Sequence, residues 1–325
     1  MRVGKGLIGL LPASLVLAVP PLLWAGNFVV GRAVRDDVPP LTLAFLRHLV
    51  AFVCLLPIAW PIVRKDASRY WQHRWTVTAT GISGLAAFSL LVYVGLHHTS
   101  ASNAQLMNST IPVLIILFGA VLFGHRLVIS QVIGLLVSCV GVLIIMLHGD
   151  IRSLRTLEFS GGDLLVLAAM ASFALFSLWL KLLPADMDRL GLLAVQLFVA
   201  AVVLLPFSVW ELLNGAPVSW GYPALGAILY VGIVASVLAN LLYMMGVARV
   251  GAAKAGLFIH LLPVYGAFMS VVFLGEQLHG YHAAGLAAII AGLAISRFGE
   301  AKRVSNSATS SDSKGRFSLG RTTID

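Results

Sequence analysis

Two stretches decide the fold: ASNAQLMNSTIPVLIILFGAVLFGHRLVISQVIGLLVSCVGVLI at 101–144 and AAKAGLFIHLLPVYGAFMSVVFLGEQLHGYHAAGLAAIIAGLAI at 252–295. With a shift of 151 positions they are identical at 12 of 44 residues, and Pro112 falls on Pro263. Three pairs of glycines also fall in register, which chance matches between leucine-rich segments do not explain. The chain therefore contains an internal duplication with a proline at the same place in each half.

The composition places this duplicated chain in a membrane. Of its 325 residues, 59% are hydrophobic and only 11% are charged, whereas about 25% of the residues of a soluble domain are charged. Apolar runs of 18 or more residues recur along the sequence, and each is long enough to cross a bilayer as a helix. Barrel strands would instead alternate over about ten residues. The expected fold class is all-α integral membrane.

Ten transmembrane helices are predicted between polar or Gly/Pro-rich breaks. They form a first five-helix repeat at 8–148 and a second at 163–297, followed by a polar tail at 298–325. We expect the tail to be disordered, since it contains few apolar residues. The predicted spans are 8–31, 41–62, 76–96, 103–124, 128–148, 163–181, 190–210, 223–246, 252–274 and 282–297.

Basic residues predict the orientation of these helices. With a cytoplasmic N-terminus, 17 Lys and Arg residues fall on the inner side and 4 on the outer side, and cytoplasmic loops are enriched in these residues. A five-helix repeat is odd, so the halves insert in opposite directions, as in many secondary transporters. We expect a multi-pass protein of the inner cell membrane with both termini and the tail cytoplasmic. We assign the net charge of +9 to this orientation rather than to nucleic acid.

The matched prolines lie near the middle of their predicted spans. Pro112 is ~14 Å and Pro263 ~16 Å from the start of its helix, at 1.5 Å per residue. A proline has no N–H, so it leaves the carbonyl four residues earlier, at Asn108 or Ile259, without its helical donor. Such a carbonyl is tolerated where it faces a cavity or a polar group, and paired breaks in two repeats indicate the binding site. Ordinary kinks packed by neighbouring helices are the alternative.

Polar and aromatic side chains within the spans complete the candidate site. Asn108 and His260 are the expected polar contacts of a solute, and Trp24 and Phe176 are the expected apolar ones. Arg47 either supplies the one fixed positive charge of the cavity or extends towards the membrane surface. The predicted substrate-binding residues are Trp24, Asn27, Arg47, Tyr93, Asn108, Pro112, Phe176, Tyr243, His260 and Pro263.

The titratable residues leave the coupling of transport open. All 13 Asp and Glu residues fall in loops, the tail or span ends, whereas proton pumps keep acidic relays within the membrane. His260 is the deep candidate for proton coupling, and uncoupled flux is the alternative. Cys54 and Cys139 lie in apolar spans and indicate no disulfide, metal or cofactor site. The sequence also leaves the oligomeric state open, with a homodimer as one alternative.

Two other functions are compatible with single features of the chain. Gly81-Ile82-Ser83-Gly84 has the form of the nucleophile motif of intramembrane serine proteases, with His260 as a conceivable base. The motif is weak in a chain with 31 glycines, and Ser83 lies early in its span whereas His260 lies deep in another. A membrane receptor or scaffold that transports nothing is the second alternative. We therefore expect a small-molecule transporter and not an enzyme.

Several short motifs, in order, resemble the drug/metabolite transporter superfamily and its EamA-type ten-helix permeases. They are LWAGNFV at 23–29, LAFLR at 43–47, SNA at 102–104 leading to Pro112, AAKA at 252–255 leading to Pro263, and GEQL at 275–278. The resemblance covers about residues 10–297 and departs from the family at Gly124-His125-Arg126, where family members have Gly-Glu. It implies export of small organic solutes through a central cavity lined by helices 1, 3, 4, 6, 8 and 9.

Overall fold

The computed structural model describes residues 11–34, 36–99, 104, 107–108, 110–125, 128–147, 150, 152, 161–215, 217–274, 280–281 and 283–296. Within these residues the chain is helical and contains no strand. The membrane helices are α1 (Ala13–Ala33), α2 (Pro40–Lys65), α3 (Arg74–His98), α4 (Ile111–Phe123), α5 (Ile129–Met146), α6 (Gly161–Leu182), α7 (Arg189–Leu213), α8 (Tyr222–Val250), α9 (Ala252–Leu257, Phe258–His260 and Leu261–Leu274 in succession) and α10 (Ala283–Ser296).

The lengths of these helices suit a bilayer. Helices α1, α2, α3, α6, α7 and α8 are long and apolar enough to span it, and α4, α5 and α10 are shorter apolar helices. The predicted all-α membrane fold is therefore confirmed. The main difference in boundaries is at α4, whose regular part begins at Ile111 rather than at 103. The predicted tail at 298–325 lies outside the described residues.

Helices α4 and α9 are interrupted just before their prolines rather than bent in mid-course. Thr110 forms a turn before α4, and Pro112 is the second residue of that helix. In α9 a 3₁₀ turn at Phe258–His260 precedes the last piece, of which Pro263 is the third residue. The first turn of a helix accommodates proline, because its N–H groups have no intrahelical acceptor. Both prolines are buried within the protein.

Glycine contacts between α5 and α10 show how the two halves are related. A methyl group on Gly134 would lie 2.5 Å from the carbonyl oxygen of Gly292, and one on Gly141 would lie 2.6 Å from that of Gly285. Gly134 and Gly285 are equivalent in the repeat, as are Gly141 and Gly292. Each contact is thus the other with the halves exchanged, as at a two-fold axis. Because these equivalent helices run antiparallel, the repeat is inverted.

The same exchange relates helix pairs away from the axis. Gly95 of α3 packs against Val166 of α6, and its equivalent Gly246 of α8 packs against Leu17 of α1. In both pairs a methyl group on the glycine would overlap the neighbouring side chain. Small residues therefore allow close helix contact in both halves.

A buried carboxylate joins α7 to the start of α2. Glu211 accepts hydrogen bonds from the backbone N–H groups of Leu41 (3.1 Å) and Thr42 (2.7 Å) and from the Thr42 hydroxyl (2.8 Å). The first N–H groups of a helix have no intrahelical acceptor, and a negative charge also stabilises the positive end of the helix dipole. Glu211 therefore anchors the N-terminus of α2 against α7.

A short helix outside the membrane segments, Ala67–Gln72, packs on the opposite end of the α2–α7 pair. Arg69 pairs with Asp186 at 2.8 Å, and the Tyr70 hydroxyl donates to the carbonyl oxygen of Asp188 at 3.2 Å. Burial, and then the charge of Asp188, raise the pKa of Tyr70 above its usual range. The hydroxyl therefore remains a donor at neutral pH, whereas the exposed ion pair adds little stability.

Replacement of Gly134 by Ala should destabilise the protein. The added methyl group meets the backbone of α10, and overpacking of this kind costs about 1–3 kcal/mol. Gly226 of α8 is the matched control, because a methyl group there meets nothing within 4 Å. We expect Gly134→Ala to lower the unfolding temperature in detergent and Gly226→Ala to leave it unchanged or raise it. Equal effects of the two substitutions would contradict the close α5–α10 contact.

Candidate functional site

A small cavity lies between the two halves of the protein. Its volume is about 30 Å³, which is room for about two waters. Helices α1, α2, α3, α4, α6, α8 and α9 contribute to it, so α2 joins the six helices that the family resemblance implied. The lining residues are Trp24, Asn27, Arg47, His48, Gly84, Leu85, Phe88, Ser89, Asn108, Ile111, Phe173, Asn240, Ile259 and Leu262.

The interrupted helices meet at this cavity. Asn108 and Ile259, each four residues before its proline, both line it, and they are equivalent in the repeat. A second equivalent pair in the lining is Ser89 with Asn240. The axis that relates the halves therefore passes through the cavity. The irregular backbone lies where a membrane protein tolerates it, against a cavity rather than lipid.

A chain of hydrogen bonds holds the cation of the cavity. Arg47 of α2 is 4% exposed, and it donates through Nε to the Ser236 hydroxyl and through Nη1 to the Tyr93 hydroxyl, both at 2.9 Å. In the part of the chain that the structure describes, Arg47 has no carboxylate partner. The side chain is thus held inside the bundle and does not extend to the membrane surface. Its Nη2 donates to no described residue and is left for the cavity.

The same series of hydrogen bonds fixes the orientation of the Asn27 side chain. The Tyr93 hydroxyl accepts from Arg47, so its own proton goes to Oδ1 of Asn27 at 3.1 Å. The amide nitrogen Nδ2 is then the group that Asn27 presents to the cavity. Arg47 Nη2 and Asn27 Nδ2, held by the same tyrosine, form two hydrogen-bond donors that we call the donor pair.

Three further polar residues of the lining are tied to their own helices. Asn108 and Asn240 each donate from Nδ2 to the backbone carbonyl four residues earlier, at 3.0 and 2.9 Å. His48 places Nδ1 2.7 Å from the carbonyl four residues earlier. Such bonds to the preceding turn are common for polar side chains in membrane helices, and they fix which atom of each side chain remains for the cavity.

Aromatic rings form the apolar wall. Phe173 of α6 lies at its centre, with ring centroids 5.2–5.5 Å from those of Trp24, Phe88, Phe176 and Tyr243. Tilted and edge-on arrangements at such distances stabilise aromatic clusters. Trp24, Phe88 and Phe173 border the cavity, whereas Phe176 and Tyr243 form the layer behind them.

The structure divides the ten predicted site residues into three groups. Those that line the cavity are Trp24, Asn27, Arg47 and Asn108. Those that support the lining are Tyr93, Phe176 and Tyr243, through hydrogen bonds or ring contacts, and Pro112 and Pro263, at the helix interruptions. His260 is buried in the 3₁₀ turn of α9 and does not belong to the lining.

Ten residues of the lining were not among the predicted site residues, and five of these are polar or aromatic: His48, Phe88, Ser89, Phe173 and Asn240. The available signal was a polar or aromatic residue within an apolar span. That signal is shared by many side chains that pack between membrane helices, so it does not single out a cavity.

The donor pair occurs in one half only. With the shift of 149 that aligns LLP at 55–57 with 204–206, the equivalent of Arg47 is Gln196. Gln196 is fully buried, and its Nε2 donates to the Thr80 hydroxyl at 2.6 Å. The equivalent of Asn27 is Phe176, part of the aromatic cluster. The buried cation therefore comes from the first half alone, whereas the aromatic rings that border the cavity come from both halves.

The features of the protease alternative do not combine in the structure. The Ser83 hydroxyl is buried in the π-helical part of α3 and has no hydrogen-bond partner among the described residues. A nucleophilic serine needs a base within hydrogen-bond reach. In the same described ranges, no group of three His, Cys, Asp or Glu residues could hold a metal ion.

An inverted repeat of membrane helices around an amphiphilic cavity is the architecture of secondary transporters. The sequence profile of the EamA-like transporter family matches residues 11–147 and 160–298, and the chain belongs to this family. The family resemblance is thereby confirmed. The chain is a multi-pass membrane transporter of small molecules and not an enzyme.

Several bacterial proteins are similar to the chain. YetK of Bacillus subtilis (strain 168), named an uncharacterized transporter, is 27% identical over 288 residues, which cover 87% of this chain and 86% of YetK. A Salmonella typhimurium protein named "Probable amino-acid metabolite efflux pump" is 27% identical over 290 residues, which cover 86% of this chain and 92% of that protein. A crystal structure that is 22% identical superposes with a TM-score of 0.68 over 87% of this chain and 94% of that one, which supports the fold.

Replacement of Tyr93 by Phe should loosen the cavity. It leaves Arg47 Nη1 and Asn27 Oδ1 without their shared partner, and an unsatisfied buried polar group costs about 1–3 kcal/mol. Tyr222→Phe is the matched control, because Tyr222 is 94% exposed. We expect a lower unfolding temperature in detergent for Tyr93→Phe alone. Unchanged stability of that variant would contradict the hydrogen-bond chain.

Proposed function

We propose that the protein exports small amphiphilic metabolites, including amino acids, from the cytoplasm by alternating access. The observation that carries the proposal is the cavity between inverted halves, which combines a buried cation with an aromatic wall. The outward direction is supported by the name of the Salmonella typhimurium relative, an efflux pump. A non-transporting receptor would not require this cavity at the axis of an inverted repeat.

The donor pair is suited to a carboxylate. A carboxylate accepts several hydrogen bonds, and bonds in which a partner is charged are shorter and stronger than neutral ones. Arg47 Nη2 supplies the charged donor and Asn27 Nδ2 a neutral donor beside it. Because Ser236 and Tyr93 hold the guanidinium with neutral oxygens, its charge is left to be balanced by the solute. The aromatic wall then faces the apolar part of that solute.

Alternating access is supported by the size of the cavity and the symmetry of the fold. A volume of about 30 Å³ is far below the roughly 300–1,000 Å³ of pockets that enclose drug-sized ligands, so a solute requires the helices to separate. In an inverted repeat, exchange of the conformations of the two halves exchanges the open side. Equivalent π-helical segments, Ile82–Ala87 in α3 and Tyr230–Leu238 in α8, are places where these helices can bend.

The moving bodies in this proposal are the five-helix halves at 8–148 and 163–297, with both termini and the tail at 298–325 in the cytoplasm. The excess of basic residues on that side supports the orientation in the inner cell membrane. No carboxylate occurs among the described lining residues. Uncoupled flux and proton coupling through a histidine are therefore the alternatives for the transport mechanism. Assembly into a homodimer is a separate alternative for the oligomeric state.

The effect of Arg47 on solute choice tests the carboxylate site. Proteoliposomes loaded with L-phenylalanine or L-phenylalaninamide should release the carboxylate at least about tenfold faster, since a hydrogen bond to a charged group contributes roughly 1.5–3 kcal/mol. In Arg47→Gln both solutes should leave at similar low rates. Arg64→Gln, which removes an exposed arginine of the same helix, is the matched control.

Two outcomes would count against the proposal. Retained preference for the carboxylate in Arg47→Gln would contradict the role of the donor pair. Absence of saturable efflux for every solute of a mixture of the protein amino acids would contradict amino-acid export by wild-type protein and favour the receptor alternative.

Labelling from the two sides of the membrane tests the inverted insertion. Single cysteines at Gln72 and Asn214, in equivalent loops of the two halves, are exposed in the structure. In a protein without Cys54 and Cys139, we expect an impermeant maleimide to label position 214 in whole cells and position 72 in inside-out vesicles. Labelling of both positions from the same side would contradict opposite insertion of the halves.

A further inference from the structure

Three polar side chains of the cavity lining turn an acceptor atom away from their own helix. A carbonyl oxygen can only accept, so the atoms that face the preceding turn, Nδ2 of Asn108 and Asn240 and Nδ1 of His48, must be the donors. The amide oxygens Oδ1 of the two asparagines therefore point away from that turn. In the His48 ring that carries its proton on Nδ1, the lone pair lies on Nε2.

These acceptor atoms are available to the cavity. Within the described ranges, neither Oδ1 atom nor His48 Nε2 has a protein hydrogen-bond partner. None of them belongs to the fully buried atoms without a partner, although the residues that carry them are only 1–6% exposed. All three residues line the same cavity of about 30 Å³. Three acceptors thus border one cavity between the halves.

We propose that His48, Asn108 and Asn240 form a binding subsite for a primary ammonium group. An –NH₃⁺ group has three donors and no acceptor, which matches three acceptors from α2, the residues before α4, and α8. The inference rests on the proposed export function and deepens it. The solute is a free amino acid, with its carboxylate on the donor pair, its ammonium on this subsite and an apolar side chain against the aromatic wall.

The charge of the cavity disfavours a simple cation, and its hydrogen-bond acceptors disfavour a simple anion, so that together they favour a zwitterion. Arg47 is the cationic side chain of the described lining, and none of those residues is acidic. A solute with an ammonium group alone would add a second positive charge in a medium of low dielectric constant. A carboxylic acid without the amine would leave buried acceptors without donors, which a polar site rejects strongly. N-acetylation removes the charge and most of the donors.

The subsite draws on both halves of the protein. His48 and Asn108 belong to the first half and Asn240 to the second. An ammonium group bound to all three bridges the halves beside the axis that relates them. Binding of the amine therefore adds contacts that link the two halves while the solute occupies the site.

Deaminated analogues test the subsite in reconstituted full-length protein. L-phenylalanine is compared with 3-phenylpropionate and N-acetyl-L-phenylalanine, and L-leucine with 4-methylpentanoate, each as efflux from proteoliposomes at equal internal concentration. We expect the wild-type protein to release the free amino acids at least about tenfold faster than the analogues, the factor for one hydrogen bond to a charged group.

Substitution of an acceptor separates this role from a structural one. Asn240→Leu, of similar size, should lower the efflux of L-phenylalanine and leave that of 3-phenylpropionate unchanged, so that their ratio falls about tenfold or more. Gln196→Leu is the matched control, because Gln196 is a buried polar residue outside the lining. We expect this control to keep the wild-type ratio. An equal fall of both rates in Asn240→Leu would overturn the subsite.

The comparison of free amino acids with deaminated analogues in the wild-type protein tests the ammonium subsite even where a variant does not fold. Equal efflux of L-phenylalanine and 3-phenylpropionate by the wild-type protein would overturn the ammonium subsite and leave carboxylate export in place. Absence of efflux for all five solutes would overturn the proposed amino-acid export together with the subsite. Faster efflux of both free amino acids supports both proposals.

Discussion

A peptide group inside a bilayer has no water to bind, so its N–H and C=O must find partners within the protein. The long helices meet most of the requirement with hydrogen bonds along their own backbones, although α1, α2 and α7 also contain prolines, which donate none. Helices α4 and α9 lose their regular α-helical pattern just before a proline, at the turn of Thr110 and at the 3₁₀ turn of Phe258–His260. The residues four positions before those prolines, Asn108 and Ile259, lie against the cavity. The cavity thus lies where the regular backbone of both halves is interrupted at equivalent positions.

The constraint applies to both halves of the duplicated chain. The two halves share their helix packing but not the side chains that they place around the cavity. The glycine contacts that bring helices together occur as equivalent pairs, such as Gly95 with Val166 and Gly246 with Leu17. A close approach of two helices leaves no room for a larger side chain in either half. Positions around the cavity carry no such restriction, and Arg47 has Gln196 as its equivalent. The fold is therefore symmetric, whereas the cavity is not.

The asymmetry gives the cavity its chemistry. A guanidinium ion buried without a carboxylate is expensive, because hydration is lost and no opposite charge replaces it. Here Ser236 and Tyr93 hold the ion through neutral hydrogen bonds, which orients it without neutralising it. On the other side the rings around Phe173 present an apolar surface. A solute with an anionic group and an apolar part suits both sides in one orientation.

The sequence alone predicted the membrane class, the ten helices, the duplication and its inversion. Those predictions used hydropathy, the odd number of helices in a repeat, and the spacing of prolines and glycines. None of these depends on which way each helix faces. The residues of the site were predictable only in part. The sequence left open whether Arg47 lies in a cavity or extends to the membrane surface, and the structure holds it inside with Tyr93. Asn240 and His48 line the cavity, and His260 does not. An apolar helix has the same hydropathy whichever face it turns to its neighbours, so only the packing of the whole bundle selects the side chains that reach the cavity.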